Sequence, residues 1–156
     1  MKTAGFQAIL YGMTVKKGYH CAYETHYHIV FPVKYRKALL SKEVETELCK
    51  ITKEIELRYE LEIEKLGADL NHIHLLCSFH PKYSIGEMVR IFKSITAREI
   101  FKTFPEIKKD LWGGEFWTDD YYVGTIGEKG NWNVVIKYIA DQKLKPQDVN
   151  LRLFAF

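Results

Sequence analysis

The sequence predicts an α+β protein: a ferredoxin-like (RRM-like) antiparallel sheet with helices on one face and an additional C-terminal helix that carries a tyrosine. Stretches rich in β-branched and aromatic residues alternate with stretches whose apolar residues recur at helical spacing. Their order is strand, helix, strand, strand, helix, strand and one more helix, which is typical of a ferredoxin-like sheet. A chain of 156 residues fits one such domain and can bury a core without disulfides.

The first strand and the first helix are predicted between residues 19 and 59. Residues 19–33 are rich in Tyr, Val, Ile and Phe, which favours a long strand. Ser41 is a typical N-cap residue, and apolar residues follow it at near-helical spacing up to about Tyr59. The outer face of this helix is acidic, so we expect it to face away from any nucleic acid.

The next two strands are predicted to form a hairpin. Residues 61–68 alternate between apolar and charged side chains, which indicates a strand with one buried face. A turn at residues 69–71 leads into a second strand at residues 72–79. These two strands are therefore expected to pair with each other.

The remaining elements follow from a capping signal and from periodicity. Ser84 and Glu87 form a capping-box pattern that begins a helix running to about Phe104. A further strand is predicted at residues 121–126. Apolar residues at helical spacing then predict a last helix over residues 131–143.

Composition narrows the class of protein. The apolar share of 47% and the charged share of 28% are ordinary for a soluble globular protein, and the net charge of +3 permits a nucleic-acid partner without demanding one. Cys21, Cys49 and Cys77 show no metal-binding spacing and indicate buried or free thiols in a reducing cytosol. With no stretch long enough to span a membrane and no convincing signal peptide, we expect a cytoplasmic protein without a membrane partner.

Two histidines stand out because of their spacing on a predicted strand. His72 and His74 would project from the same face, with their apolar neighbours in the core. Two imidazoles on a rigid strand can form half of a metal site that leaves positions open for a substrate. His26 and His28 have the same spacing, and many histidines are structural, so the pair alone leaves both roles open.

The predicted last helix carries a candidate nucleophile and a candidate ligand. Tyr138 and Gln142 are four residues apart and share a helical face. If that face lies against the sheet, Gln142 can offer an amide oxygen to a metal held by His72 and His74. A phenol with a pKa of about 10 becomes an effective nucleophile when a divalent cation polarises a phosphodiester. The chain has 10 tyrosines, so spacing alone does not single out this one.

Several segments, in their order and spacing, carry a resemblance to a known family. They are residues 27–31, 34–37, 71–76, 91–98, 116–117, 121–127 and 135–142. Over roughly residues 19–143 the chain resembles the single-tyrosine HUH transposases of the insertion-sequence 200/605 family, which move small elements as single-stranded DNA. That family usually has Pro-Asp before the histidine pair, where this chain has Leu70 and Asn71.

The resemblance implies roles for particular residues. His72 and His74 correspond to the metal-binding histidine pair, and Gln142 to the third ligand of a Mg²⁺ or Mn²⁺ ion. Tyr138 corresponds to the nucleophile that forms a 5′-phosphotyrosine and frees a 3′-hydroxyl. The other histidine pair belongs to the first strand, and the resemblance implies that it carries no metal.

The resemblance also implies an activity, partners and domain limits. The activity is that of a DNA transposase of a small insertion sequence, a single-strand DNA endonuclease and strand transferase acting on hairpin-marked ends. The partners are single-stranded DNA with hairpins and a second copy of the chain, with a composite active site in some family members. The expected domain spans residues 19–143, between an extension at 1–18 and a tail at 144–156.

Two alternative functions stay open. One is a domesticated transposase that acts on repeated palindromes, with the same chemistry and a different target. The other is a non-catalytic RRM-like module that binds single-stranded nucleic acid, because this fold does not fix a function.

Binding a single strand requires positive charge for its backbone and aromatic rings for its bases. Basic residues cluster after the first strand and along the second long helix, where part of the cluster lies in the segment that resembles the family's hairpin-binding region. The candidate DNA-binding residues are Lys34, Arg36, Lys37, Arg90, Lys93 and Arg98.

Overall fold

The computed structural model describes residues 15–112, 114–127 and 137. The strands are β1 (Lys16–Gly18), β2 (Cys21–Tyr23), β3 (Tyr27–Pro32), β4 (Leu61–Asp69), β5 (His72–Phe79) and β6 (Tyr122–Thr125). The helices are α1 (Lys42–Arg58), α2 (Ile85–Thr103) and α3 (Pro105–Asp110), and a short 3₁₀ helix spans Lys34–Arg36.

The strands form two antiparallel sheets. β1 and β2 pair with each other, and the other four strands form a sheet in the order β4-β5-β3-β6. From β3 to β6 the elements follow the predicted order of strand, helix, two strands, helix and strand. The α+β class and the antiparallel sheet are therefore confirmed.

One face of the four-stranded sheet and the helices enclose the core. Its buried side chains include Ile29, Phe31, Leu48, Ile55, Leu75, Phe92 and Ile100. At its centre the rings of Phe31 and Phe92 stack with centroids 5.1 Å apart. Burying each of these rings contributes about 1.5–3 kcal/mol to the free energy of unfolding. The core fixes the orientation of β3 and β5, and so determines which side chains lie on their other face.

Both long helices begin at the predicted caps. The Ser41 hydroxyl accepts a hydrogen bond from the backbone amide of Val44 at the start of α1. At the start of α2, Ser84 and Glu87 form both hydrogen bonds of the capping box. Each cap satisfies amides that the first helical turn leaves without a partner, so the sequence signal and the structure agree.

The prediction of the first strand is wrong in one respect, because residues 19–33 do not form one continuous strand. The chain turns at Tyr19 and His20, and His20 adopts a left-handed φ of 61°. This turn pairs β1 with β2 as a separate hairpin, and β3 begins only at Tyr27. Regular structure therefore begins before residue 19, inside the predicted extension.

The predicted alternation in β4 is interrupted by a change of register. Ile63 pairs with Cys77, but the pairing then moves to Lys65, and Leu66 faces the core opposite Leu75. A bulge of this kind inserts one extra residue into the strand and changes which side chains face inward. The extra residue here is Glu64.

The end of the described chain differs in detail from the prediction. The short helix α3, which was not predicted, follows α2 with Pro105 at its start, where proline is well tolerated. The predicted last helix lies outside the described residues except for Lys137, which is helical and exposed. No helix in the described ranges is long and apolar enough to cross a bilayer.

Candidate active site

The two predicted ligand histidines lie on the sheet face opposite the helices. Along β5, Ile73 and Leu75 are buried in the core that the helices cover, and His72 and His74 project from the other face. The imidazole centroids of the two histidines are 5.0 Å apart, and their rings are inclined by 70°. The structure brings the two side chains together on one rigid strand, as the alternation predicted.

A third histidine, which is not among the predicted ligands, contacts this pair directly. His28 Nε2 lies 2.9 Å from His74 Nδ1, and the two rings stack with centroids 5.2 Å apart. His28 lies on β3, where its backbone neighbour across the sheet is Leu76, two residues along from His74. The repeated His-x-His spacing was a signal for this contact, but it becomes readable only when the register of β3 on β5 is known.

His74 is buried and does not face solvent. Its side chain is only 1% exposed. The cause is its position on a central strand, paired on both sides, with the ring of His28 stacked over it. Replacing His74 would therefore disturb packing as well as any metal site.

The other predicted ligand, His72, is oriented by its neighbour in the turn. His72 Nδ1 lies 2.7 Å from Asn71 Oδ1, which accepts the hydrogen bond from the ring. Metal-binding histidines usually donate one ring N–H to an oxygen in this way, which fixes the tautomer and the ring direction. Asn71 supplies that oxygen in the position where the resembled family usually has Asp.

The donor set fits a divalent metal. In both His72 and His74 the contact to the neighbouring residue uses Nδ1, so coordination would use Nε2. Burial lowers the pKa of His28, which favours a neutral imidazole whose Nε2 can accept a hydrogen bond from His74. Within the described ranges no three His, Cys, Asp or Glu side chains form a metal site. The predicted third ligand, Gln142, and the predicted nucleophile, Tyr138, lie outside the described residues.

A second buried polar pair joins His26, just before β3, to Glu64 on β4, on the far side of β5. His26 Nδ1 and Glu64 Oε1 are 2.7 Å apart, and both side chains are almost fully buried. Burial raises the pKa of Glu64 although His26 opposes the shift. The β4 bulge places Glu64 there, and sequence periodicity did not indicate it.

The basic cluster after β3 is already engaged in contacts. Lys34 forms an ion pair of 2.5 Å with Glu115, and Lys37 donates a hydrogen bond to the carbonyl oxygen of Asp110. The contact with Glu115 raises the pKa of Lys34. Both lysines therefore tie this segment to the chain after α2.

Two residues of the same cluster adopt an unusual backbone conformation. Tyr35 and Arg36 are consecutive residues in the left-handed region, with φ of 58° and 52°. The Tyr35 hydroxyl donates a hydrogen bond of 3.3 Å to the carbonyl oxygen of Trp112, and both aromatic rings are exposed. This turn presents aromatic and basic side chains together on the surface.

Lys93 on α2 uses its ammonium group within the protein. Its Nζ donates to the carbonyl oxygens of residues 118, 119 and 120 at 2.7, 2.9 and 3.1 Å. It also lies 5.8 Å from the ring centroid of Phe31 and 5.4 Å from that of Tyr121. All three of its N–H donors thus have a partner, and a role in contacting DNA stays a prediction. Arg90 and Arg98 are exposed on the same helix.

The chain is similar to known transposases in sequence. Residues 21–142 match the family model described as "Transposase IS200 like". The chain is 33% identical over 134 residues to the ISDra2 transposase TnpA of Deinococcus radiodurans, which covers 86% of this chain and 95% of that protein. It is 28% identical over 109 residues to the transposase for insertion sequence element IS200 of Salmonella typhimurium, which covers 70% of this chain and 72% of that protein.

Solved structures are similar as well. A crystal structure of a transposase-family protein from Deinococcus radiodurans superposes with a TM-score of 0.67 at 33% identity, covering 81% of this chain and 97% of that one. A tyrosine transposase associated with REP sequences, solved bound to a REP hairpin, shares the fold with a TM-score of 0.58 at 12% identity, covering 81% and 72% of the two chains. The family match spans the four-stranded sheet, its helices and the positions of the predicted nucleophile and third ligand. The chain therefore belongs to the family of IS200-like transposases.

Proposed function

We propose that this protein is the transposase of a small insertion sequence, and that it cuts and rejoins single-stranded DNA at hairpin-marked ends. The observation that carries the proposal is the pair His72 and His74, which Asn71 and His28 orient on the sheet face opposite the helices. Membership of the IS200-like transposase family supports assigning this pair to DNA processing.

In the proposed reaction Tyr138 is the nucleophile. Its phenolic oxygen forms a bond to the phosphorus of the scissile phosphodiester and gives up its proton. The bond between phosphorus and the 3′ oxygen breaks, and that oxygen takes up a proton and leaves as a 3′-hydroxyl. The 5′ side stays on the protein as a phosphotyrosine. Because the new ester retains the energy of the old one, attack by a 3′-hydroxyl can rejoin DNA without another energy source.

The histidine pair would hold the metal ion that this reaction needs. His72, His74 and Gln142 would bind Mg²⁺ or Mn²⁺. A divalent ion supplies charge stabilisation to the phosphate oxygens and helps to orient the DNA. Asn71 and His28 would fix the tautomers of the two imidazoles before any metal arrives, which reduces the reorganisation required on binding.

The proposed partners are hairpin-bearing single-stranded DNA and a second copy of this chain. A protein of the same fold has been solved bound to a REP hairpin, and this supports a hairpin as the substrate here. We propose that two copies form a homodimer in which the tyrosine of one can serve the histidines of the other. Within the described ranges Cys21, Cys49 and Cys77 form no disulfide, which supports a reducing cytoplasmic location.

The two alternative functions differ from this proposal in different ways: a domesticated transposase would cut a different DNA target, and a binding module would cut none. The identity of 33% to an insertion-sequence transposase, over 95% of its length, favours a mobile element over a domesticated protein that acts on palindromes. A binding module would hold the same DNA and leave it intact.

A covalent-capture experiment tests the proposal. The protein is incubated with labelled hairpin oligonucleotides in Mn²⁺ or in chelator, and products are separated under denaturing conditions. We expect a Mn²⁺-dependent adduct, mapped by mass spectrometry to Tyr138 and absent from Tyr138→Phe. The matched control is Tyr19→Phe, because Tyr19 is an exposed tyrosine in the β1–β2 turn.

Two results would contradict the proposal. An adduct that survives in Tyr138→Phe would assign the reaction to another residue. Binding of hairpins without any adduct, across a broad oligonucleotide library, would favour the non-catalytic module.

A further inference from the structure

A tyrosine on the edge strand lies beside the candidate metal site, and the proposed reaction does not use it. Tyr122 is on β6, where its backbone partner on β3 is Val30. On the other side of β3, the partner of Val30 on β5 is His74. Residues directly opposite one another in a sheet point to the same face. Tyr122 and His74 therefore project from one face, with β3 between them.

His28 on β3 lies between these two rings. Its ring stacks on that of His74, with an inclination of 19° between the ring planes. The ring of Tyr122, on the strand at the other side of β3, meets His28 edge to face, at 72° and with centroids 6.0 Å apart. Both arrangements are favourable for aromatic rings. His28 is thus packed from both sides, by a predicted ligand and by a tyrosine.

A glycine determines where the Tyr122 ring can lie. Gly124 is two residues further along β6, so it shares a face with Tyr122, and its backbone partner is His28. A Cβ atom at position 124 would lie 2.9 Å from the Tyr122 hydroxyl oxygen and 3.4 Å from the ring carbon that bears it. Glycine within a strand often marks such a close approach. The Tyr122 ring therefore leans over Gly124, beside His28, where a larger residue would displace it.

The orientation of His28 matters because of its contact with the predicted ligand. His28 Nε2 lies 2.9 Å from His74 Nδ1, and an acceptor at this place keeps the proton of His74 on Nδ1. The lone pair of His74 is then on Nε2, the nitrogen that would bind the metal. The ring torsion of a histidine is broad, so an imidazole packed on one side only can turn out of such a contact.

We propose that Tyr122 is a positioning residue of the metal site. Its ring, laid over Gly124, holds His28 against His74 and so keeps His74 in the tautomer that can bind a metal. The inference rests on the proposed function for the metal itself. The tautomer of His74, however, can be measured in the metal-free protein, so the two proposals can be tested separately.

The first test measures the tautomer of His74 without metal. Long-range ¹H–¹⁵N NMR spectra distinguish a proton on Nδ1 from a proton on Nε2. We expect His74 to carry its proton on Nδ1 in the wild type and in Tyr122→Phe, which retains the ring, and to populate both tautomers in Tyr122→Ala. A single Nδ1–H tautomer in Tyr122→Ala would overturn the proposal.

The second test is calorimetric titration of the folded variants with MnCl₂. We expect Tyr122→Ala to weaken Mn²⁺ binding by about 3- to 10-fold, the factor that corresponds to the loss of one aromatic pair. Gly124→Ala should also weaken binding, because the added methyl group displaces the Tyr122 ring. This loss should disappear when Gly124→Ala is combined with Tyr122→Phe, since the oxygen 2.9 Å from the new methyl group is then absent. A loss that persists in the double variant would assign the effect to the β6 backbone and contradict the proposal.

The matched control is Gly127→Ala, because a Cβ atom at position 127 meets no atom of the described chain within 4 Å. We expect this variant to bind Mn²⁺ like the wild type, and equal losses in Gly124→Ala and Gly127→Ala would count against a role for Tyr122. A wild-type protein that binds no Mn²⁺ would refute the proposed metal site, and the tautomer comparison would then decide whether Tyr122 positions His28.

Discussion

At the scale of single residues, His28 has the most informative position beside the candidate site. It stacks on His74 and contacts its Nδ1, so it can fix the tautomer that a metal would require. We predict that His28→Phe, which retains a stacked ring and removes the hydrogen-bonding nitrogen, weakens Mn²⁺ binding by about 10- to 100-fold. Calorimetric titration of the folded protein with MnCl₂ measures this directly, without DNA.

Asn71→Asp provides the matched control for that experiment. It keeps an oxygen acceptor for His72 Nδ1, so we expect an affinity close to that of the wild type. An unchanged affinity in His28→Phe would mean that His28 only packs against the site.

Some residue positions were predictable and others were not, for a physical reason. The shared face of His72 and His74 follows from the two-residue period of a strand, which is local. The contact of His28 with His74 joins residues 46 positions apart and depends on the pairing of β3 with β5. Local periodicity carries no information about such a contact.

At the scale of secondary-structure elements, Lys93 links α2 to the chain that leads into β6. Its three hydrogen bonds to the carbonyl oxygens of residues 118–120 fix the entry to that strand. On β6 the ring of Tyr122 lies 6.0 Å from that of His28, so this link reaches the surroundings of the histidine pair.

We predict that Lys93→Met lowers the free energy of unfolding by about 1–2 kcal/mol, because three charge-assisted hydrogen bonds, one part-buried and two exposed, are lost. Urea unfolding measures the loss, and hydrogen exchange of the β6 amides should increase. Lys102→Met is the control on the same helix, since Lys102 is 78% exposed and its ion pair with Glu99, the only one it forms with described residues, is 4.0 Å long. Equal stability of the two variants would show that the Lys93 contacts contribute nothing net.

Elements with capping signals were predicted well. Ser41 and Ser84 marked the starts of both long helices, because a cap is a local hydrogen-bonding pattern. The division of residues 19–33 was missed, since a left-handed residue at His20 has no strong sequence signal. The β4 bulge at Glu64 was missed for a similar reason: its position depends on the partner strand.

At the scale of the whole molecule, the buried pair of His26 and Glu64 makes stability depend on pH. Burial raises the pKa of Glu64 above its ordinary value. A carboxyl group with a higher pKa in the folded than in the unfolded state stabilises the fold below its unfolded pKa, and that contribution is lost as the pH rises through the folded pKa.

Glu64→Gln should therefore gain stability relative to the wild type as the pH rises from ~4 towards neutrality. Thermal unfolding of both proteins across this range tests the sign. If the difference in stability between the two proteins stays constant with pH, the prediction is contradicted, because Glu64 then has the same pKa in the folded and the unfolded state. The fold class was predictable from element order, but this property was not, because it arises from two distant side chains that meet in the interior.

The turn at Tyr35 and Arg36 has a consequence for how this protein can change. Left-handed backbone costs an ordinary residue about 1–2 kcal/mol, a penalty that glycine escapes. Glycine at position 35 would relieve that strain, but it would also remove the hydroxyl that contacts Trp112 and an exposed aromatic ring. A substitution that makes this turn more heat-resistant therefore removes part of its aromatic surface. Selection for thermal stability and selection for this surface, whether natural or in engineering, act against each other here.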